Sequence, residues 1–268
     1  MTTVALLQVD PRPGAVEANL AAGFAALGEA AAAGAAVAVL PEMWPRSFVD
    51  ALAQPDGGID WADALGRWRA EHARLGMAGI GGFPRQGADG RWRNSCYAID
   101  RDGTVVDVYD KIHLFSFMDE DKRYAAGDRV VTVDLAGVRF GLAVCYDLRF
   151  PELFRALRAA GADAFVVGAQ WPSARAEHWD VLCRARAIEN LTTMLAVNRT
   201  GTVDEGGRSL HFGGGSLAVG PWGERLWTGG DGAEIGLVRL DLAAQRERRA
   251  SFGAWQDRRL GLGPPESQ

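Results

Sequence analysis

The stretch Val138-Arg139-Phe140-Gly141-Leu142-Ala143-Val144-Cys145-Tyr146-Asp147-Leu148-Arg149-Phe150-Pro151-Glu152 decides how the chain folds. It opens as an apolar run rich in Val, Leu and Phe, the pattern of a buried strand. A short polar turn follows, and then Pro151 at the first position of a helix, where its missing N–H would be unpaired anyway. Leu153, Phe154 and Leu157 come next at helical spacing and Gly161 ends the run, so a helix over 152–160 is expected. Cys145 therefore stands on a strand-to-helix turn. Oriented N–H groups and the positive end of a helix dipole can favour a thiolate and an oxyanion there. A lone strand Cys is more often a packing residue, so the rest of the chain has to decide its role.

On the N-terminal side, strands are expected over 4–9, 36–40 and 77–83, with helices over 16–33 and 61–75 between them. In the first helix Val16, Leu20, Phe24 and Leu27 recur at helical spacing, and Gly34 follows as a C-cap. This βαβαβ opening implies helices packed on a sheet. The pattern then changes to hairpins. Strands over 92–100 and 104–112 are joined at Asp102-Gly103, and strands over 130–135 and 138–144 at Ala136-Gly137. A polar loop is expected from Lys111 through Phe115 to Asp128. Beyond the Cys145 unit come a strand over 164–170, a helix over 176–191 and a strand over 193–198. Strands over 216–220 and 225–228 flank the turn Pro221-Trp222-Gly223-Glu224, and 234–240 is the last strand before a short basic helix and tail. Strands fed partly by helices and partly by hairpins argue for mixed sheets. Amphipathic helices each need a sheet to cover, so two packed sheets between helical layers is the economical arrangement. A single domain over 1–268 is expected, with its core at about 4–242 and a tail from about 250.

Composition narrows the function. The chain has 268 residues, 48% hydrophobic and 24% charged, as a soluble globular protein does. No apolar run reaches the ~18 residues of a membrane span. The net charge of −5 argues mildly against nucleic acid or an anionic membrane as a partner, and says nothing about a small acidic substrate. The three Cys (Cys96, Cys145, Cys183) are an odd count without paired spacing, which favours thiols in a reducing compartment. The first residues lack the charged n-region and cleavage site of a secretory signal, so a cytoplasmic location is expected. No His/Cys cluster has zinc spacing and no glycine motif for a nucleotide appears, so no metal or cofactor is expected.

A thiol nucleophile needs a base and a group to stabilise an oxyanion. None of the four His stands in a catalytic motif. Glu42 follows the strand over 36–40, Lys111 ends the strand over 104–112, and Cys145 follows Val138–Val144. Three reactive side chains at three strand ends is how a sheet gathers a site on one rim, although a Glu or Lys at a strand end is commonly only solvated.

Here the chain resembles the nitrilase superfamily of carbon–nitrogen hydrolases, from Val4 to about Leu240. The matching motifs are Leu40-Pro41-Glu42, Tyr109-Asp110-Lys111-Ile112-His113-Leu114 and Gly141 through Glu152, with Arg184 through Asn190 and Ala196-Val197-Asn198-Arg199 as flanks. The resemblance implies a four-layer α-β-β-α sandwich and no cofactor. It also implies that Cys145 is the nucleophile, Glu42 the general base and Lys111 the oxyanion stabiliser, with the Tyr146 N–H as a second donor. Glu120 matches a second glutamate found in many members, although Asp119, Glu120 and Asp121 also read as an acidic loop. Arg186, Glu189 and Asn190 are expected to form a structural network behind the site, His113 to be a structural hydrogen-bonder, and Cys96 and Cys183 to be core thiols.

The segment Ala169-Gln170-Trp171-Pro172-Ser173-Ala174-Arg175, with His178-Trp179, resembles bacterial ω-amidases, which act on ω-amides of 2-oxo dicarboxylic acids. An acidic substrate wants a guanidinium, because Arg binds carboxylate bidentately. Arg149 and Arg175 are the candidates, with Trp171 beside them. The expected activity is therefore hydrolysis of a small linear amide through a Cys145 thioester. The alternatives are an N-carbamoyl amine or amino-acid amidase, a nitrilase, or a catalytically silent relative that only binds. The resemblance also implies a homodimer or higher homo-oligomer.

Overall fold

In β1 (Thr2–Gln8) the apolar side chains divide by parity. Val4 and Leu6 join one buried cluster, Ala5 and Leu7 another. Successive side chains of a strand point to opposite faces, so a strand apolar at every position must be covered on both sides. In β2 (Val37–Val39) the split repeats, with Val37 and Val39 in the first cluster and Ala38 in the second. These strands belong to a computed structural model that describes residues 1–53, 57–205 and 208–260.

α1 (Val16–Ala32) joins β1 to β2. α2 (Phe48–Ala53) and α3 (Trp61–Leu75) lead to β3 (Ala78–Gln86), followed by the hairpin of β4 (Trp92–Ile99) and β5 (Val105–Asp110). After α4 (Glu120–Arg123) come β6 (Thr132–Leu135), β7 (Val138–Val144), α5 (Pro151–Ala159), β8 (Ala164–Ala169), α6 (Ala176–Asn190) and β9 (Thr193–Asn198). β10 (Thr200–Glu205), β11 (Arg208–Gly213), β12 (Leu217–Val219), β13 (Arg225–Thr228), β14 (Glu234–Leu240) and α7 (Leu242–Ser251) complete the order.

Two six-stranded sheets result, β14-β1-β2-β3-β4-β5 and β13-β12-β9-β8-β7-β6. In each, the helix-fed strands pair in parallel (β1, β2 and β3; β7, β8 and β9) and the hairpin-fed strands pair antiparallel outside them. One cluster holds Val4, Val39 and Ile80 of the first sheet with Leu142, Val166 and Leu195 of the second. Leu20 and Leu27 of α1 and Trp68 of α3 cover the outer face of the first sheet. Leu153, Phe154 and Leu157 of α5 and Cys183 and Ala187 of α6 cover the second. The layers run α-β-β-α, as the sequence pattern and the resemblance imply. Phe154 shows what the outer packing is worth: it is wholly buried, edge-on to Phe165 at 5.3 Å, and truncating such a ring costs about 3–5 kcal/mol.

Local signals set the helix ends. Asp60 caps α3 by accepting from the N–H groups of Ala62 and Asp63, both at 3.0 Å. Gly76 closes it at φ 63°, a conformation glycine takes without strain. Pro151 opens α5, one residue earlier than the expected start.

Three features depart from the sequence reading. The turn after Cys145 is itself a 3-10 helix, Cys145–Arg149, so α5 begins six residues beyond the thiol. The expected polar loop to Asp128 holds a 3-10 turn, Ser116–Met118, and the single turn of α4, both too short to show periodicity. β10 and β11 pair only with each other, apart from both large sheets. Their sequence is mostly polar, and among the residues whose burial is described Val203 and Phe212 are the buried apolar ones.

Candidate active site

The site lies where the turn after β2, the end of β5, the start of α4 and the turn after β7 converge. Glu42 is carried on the first of these. Met43 beside it has φ 47°, an unfavourable value for a non-glycine residue. The turn passes between the sheets so closely that neither neighbour has room for a side chain. A Cβ at Gly82 of β3 would lie 2.4 Å from the Met43 nitrogen and 2.8 Å from the Glu42 Cα; one at Gly168 of β8 would lie 3.0 Å from the Glu42 nitrogen. Gln170 then pins the turn. Its backbone N–H donates to Glu42 Oε2 at 3.0 Å, and its side-chain Nε2 donates to the Glu42 carbonyl at 2.9 Å.

Lys111 sits one residue past β5, where its N–H donates to the Asn94 carbonyl at 2.9 Å. Its Nζ donates to Glu42 Oε1 at 3.0 Å and to Glu120 Oε1 and Oε2 at 3.1 and 2.9 Å. Glu120 opens α4, accepts from the Phe115 N–H at 2.6 Å, and is wholly buried, as are Glu42 and Lys111 to within 1%. Asn94 ties the carboxylates together, its Nδ2 donating to Glu42 Oε1 at 2.7 Å and to Glu120 Oε1 at 2.9 Å. Asp119 and Asp121, by contrast, are exposed, as expected.

Cys145 takes φ 45°, so the nucleophile candidate sits on strained backbone. Asp147, two residues on and wholly buried, fixes this turn. It accepts from the N–H of Val144 (2.9 Å), the N–H of His113 (3.0 Å), and the Tyr109 hydroxyl (2.7 Å), and it bonds His113 Nδ1 (2.8 Å). His113 stacks on Phe150 at 3.7 Å, a structural post and not a base. Behind the turn, Arg186 donates twice to the Leu148 carbonyl and once to Glu189, which realises the expected network. Cys96 and Cys183 are buried in the core.

The electrostatics follow from burial. Burial pushes the Cys145 thiol well above its ordinary range; the Glu42 charge adds to this, and Lys111 offsets only part of it. For Lys111, burial alone would favour the neutral amine, but Glu120 and Glu42 together override it and hold the ammonium. Burial also raises Glu120, against the pull of Lys111 and with the help of Glu42. The site thus gathers a thiol, an ammonium and two carboxyl groups.

Cys145 and Lys111 open onto a cleft of about 500 Å³, its mouth included. Phe48, Leu210 and Phe212 line one side; Tyr146, Arg149, Trp171 and Arg175 line it as well. Arg149 lies over the Trp171 ring at 4.7 Å, and Arg175 over Phe117 at 5.6 Å and Phe115 at 5.9 Å. Trp171 is itself anchored, its N–H donating to Asn198 and its Nε1 to the Arg175 carbonyl. Lys111, Cys145, Tyr146, Arg149, Trp171 and Arg175 therefore line one pocket, and Glu42 and Glu120 meet it through their bonds to Lys111. The sequence reading missed Asn94, Gln170 and Asp147 as parts of the site. Polarity did not single them out: Asn94 stands between Arg93 and Ser95 on β4, and Gln170 and Asp147 lie in the turns after β8 and β7, where polar residues are ordinary. Among the described residues, no three His, Cys, Asp or Glu side chains are placed to hold a metal ion.

The chain matches the family described as carbon–nitrogen hydrolase over residues 3–250. It is 35% identical to a 2-oxoglutaramate amidase of Bacillus subtilis, over 84% of this chain and 86% of that one. It is 36% identical to an omega-amidase of Escherichia coli, over 82% and 83%. A carbon–nitrogen hydrolase superfamily protein of Xanthomonas campestris, with an arsenic adduct in its active site, superposes with a TM-score of 0.84 at 32% identity, over 98% and 99%. A glutamate-to-glutamine variant of an amidase from Nesterenkonia sp. AN1, which carries the acetamide moiety of fluoroacetamide on its active-site cysteine, superposes at 0.85 with 28% identity, over 96% and 94%. With its thiol, ammonium and paired carboxylates gathered in the fold these proteins share, the chain belongs to the carbon–nitrogen hydrolase family.

Proposed function

We propose that the protein is a thiol amidase that hydrolyses an ω-amide of a dicarboxylic 2-oxo acid to the carboxylate and ammonia. The observation that carries this reading is the Lys111 ammonium held by Glu42 and Glu120, in the same cleft as the Cys145 thiol. Glu42 takes the thiol proton as sulfur attacks the amide carbon. The oxyanion forms against Lys111 Nζ and the Tyr146 N–H. On collapse Glu42 returns the proton to the leaving nitrogen, ammonia departs, and a thioester remains on Cys145. Glu42 then deprotonates a water that attacks the thioester carbonyl, and the thiol is regenerated with the product acid. Glu120 keeps Lys111 in place through both halves.

The substrate class rests on the relatives named as amidases of 2-oxoglutaramate and ω-amides, and on two guanidinium groups in a cleft otherwise lined largely by aromatic and aliphatic side chains. Arg149 and Arg175, which both line the cleft, are the groups we propose for the substrate's free carboxylate. A panel of 2-oxoglutaramate, glutamine, butyramide and an N-carbamoyl amino acid tests this by ammonia release. The reading expects kcat/KM to be highest for 2-oxoglutaramate and to fall selectively for it in Arg175→Ala and Arg149→Ala. Equal rates on butyramide would remove the carboxylate from the account.

We further read the chain as one domain that pairs with a second copy. Val181 and Ile188 of α6, Trp222 of the β12–β13 turn and Phe252 are each 43–55% exposed. They are neighbours: Trp222 and Phe252 lie 5.2 Å apart, and Ile188 crowds Gly223. An apolar face of this kind is what a dimer core covers. A mass measurement in solution at micromolar concentration tests this, with a monomer as the contrary result. The free thiols favour the cytoplasm, and no helix of the described residues is long and apolar enough to cross a membrane.

A further inference from the structure

Glu42 Oε1 and Glu120 Oε1 are both reached by one side-chain amide. Asn94 lies on β4, wholly buried, and uses its two Nδ2 hydrogens on two carboxylates, at 2.7 and 2.9 Å. Its Oδ1 is buried with no hydrogen-bond partner. That is a costly way to place an amide in a core, since an unpaired buried acceptor loses its hydration without return. The residue therefore has a use that outweighs the cost. Its own carbonyl also receives the Lys111 backbone N–H, so one residue of β4 bonds both carboxylates and the main chain of Lys111.

The acceptors show what the use is. Glu42 Oε1 receives both Asn94 Nδ2 and Lys111 Nζ. Among the described residues, Glu42 Oε2 receives a single N–H donor, that of Gln170. A carboxylate oxygen has two lone-pair sites, so Oε1 is filled and Oε2 keeps one site open. Resting on the amidase reading above, we infer that Asn94 is a positioning residue that fills Glu42 Oε1, locks the carboxylate to Glu120 and leaves Oε2 as the oxygen that takes the Cys145 proton.

Asn94 acts also on the charge of the cluster. A donated hydrogen bond favours the ionised carboxylate, and for Glu120 the Asn94 bond works against burial and the Glu42 charge. The other groups facing this cluster are Lys111 from the end of β5, Cys145 from the turn after β7, and Tyr124 and Arg46 from the segments around α4 and α2. None of them supplies a neutral donor to both carboxylates. Without the amide, Glu120 holds its proton to higher pH and the rotamer of Glu42 is free to swing.

The test is the pH profile of ammonia release by wild type, Asn94→Asp and Asn94→Ser on one amide. Asn94→Asp keeps shape but turns the donor into an acceptor; Asn94→Ser removes one of the two donors and leaves a cavity. For both variants kcat is expected to fall by about 10²-fold or more with KM within threefold, as for the loss of a group that acts in the transition state. The acid limb of kcat/KM is expected to move up by a pH unit or more. If Asn94→Asp does not fold, the Asn94→Ser profile carries the test. A variant with wild-type kcat, or one whose kcat falls with an unmoved acid limb, overturns the inference, since a merely structural residue would give the second result. Wild type that releases no ammonia from any amide would instead refute the amidase reading.

Discussion

Replacing Glu120 by Gln separates a working carboxylate from a surface charge. Glu120 receives Lys111 Nζ on both oxygens, Asn94 on Oε1 and the Phe115 N–H on Oε2. A glutamine has one acceptor oxygen and one NH₂ group. If the NH₂ stands at the Oε1 position it meets Asn94 Nδ2 and Lys111; at the Oε2 position it meets the Phe115 N–H and Lys111. Either rotamer sets donors against donors. Hydrogen bonds to charged groups contribute about 1.5–3 kcal/mol each, and two are lost. Lys111 keeps Glu42, so the fold should weaken by about 3 kcal/mol, the low end for breaking a buried ion pair. The ammonium is also no longer aimed, and kcat should fall by about 10²–10³, as when an oxyanion donor is removed. Asp119→Asn and Asp121→Asn serve as comparisons. Both side chains are exposed, and Asp119 pairs with exposed Lys122, so they should stay within about 0.5 kcal/mol of wild type. The assay is ammonia release by the three variants on one amide, with a urea unfolding curve for each. Glu120→Gln turning over as fast as the Asp variants would refute the placement of Lys111 by two carboxylates.

Gly82→Ala puts a Cβ 2.4 Å from the Met43 nitrogen; the turn must move, so kcat should drop at least tenfold with a stability loss of about 1–3 kcal/mol, read by ammonia release and thermal unfolding. His72 is wholly buried against Met77, and burial brings its pKa from 6.5 down to about 4. The unfolded chain therefore binds the extra proton first, and stability is full above about 6.5 and lost as pH falls through about 4, by about 3 kcal/mol. His72→Phe should flatten that part of the stability curve in urea unfolding between pH 7 and 4, and an unchanged slope would contradict it.

Most of the fold was legible in the sequence because its central strands carry unbroken buried apolar runs, over 4–7, 37–39, 140–144, 164–169 and 194–197. β1, β2, β7, β8 and β9 have to lie between two covered faces, and Gly or Pro marks several of the element ends, as Gly76 and Pro151 do. The parts that escaped lack that signal. β10 and β11 bury little and pair only with each other. α4 is one turn, yet it carries Glu120, whose neighbours Asp119 and Asp121 are solvated, so composition alone could not tell the three acids apart. For the site, Glu42, Lys111 and Cys145 could be picked out at strand ends and by motif. Asn94, Gln170 and Asp147 could not, because their work is to bond groups distant in the chain, 52, 128 and 34 residues away for the Asn94–Glu42, Gln170–Glu42 and Asp147–His113 bonds.

The central claim is that catalysis runs through a thioester on Cys145. Acid quenching of the wild-type enzyme during turnover of 2-oxoglutaramate, followed by peptide mass analysis, tests it most directly. The account predicts that the peptide bearing Cys145 gains the mass of the substrate less ammonia, and that Cys145→Ala shows neither the adduct nor ammonia release while keeping its fold. An adduct on another residue, or Cys145→Ala activity within tenfold of wild type, would contradict it.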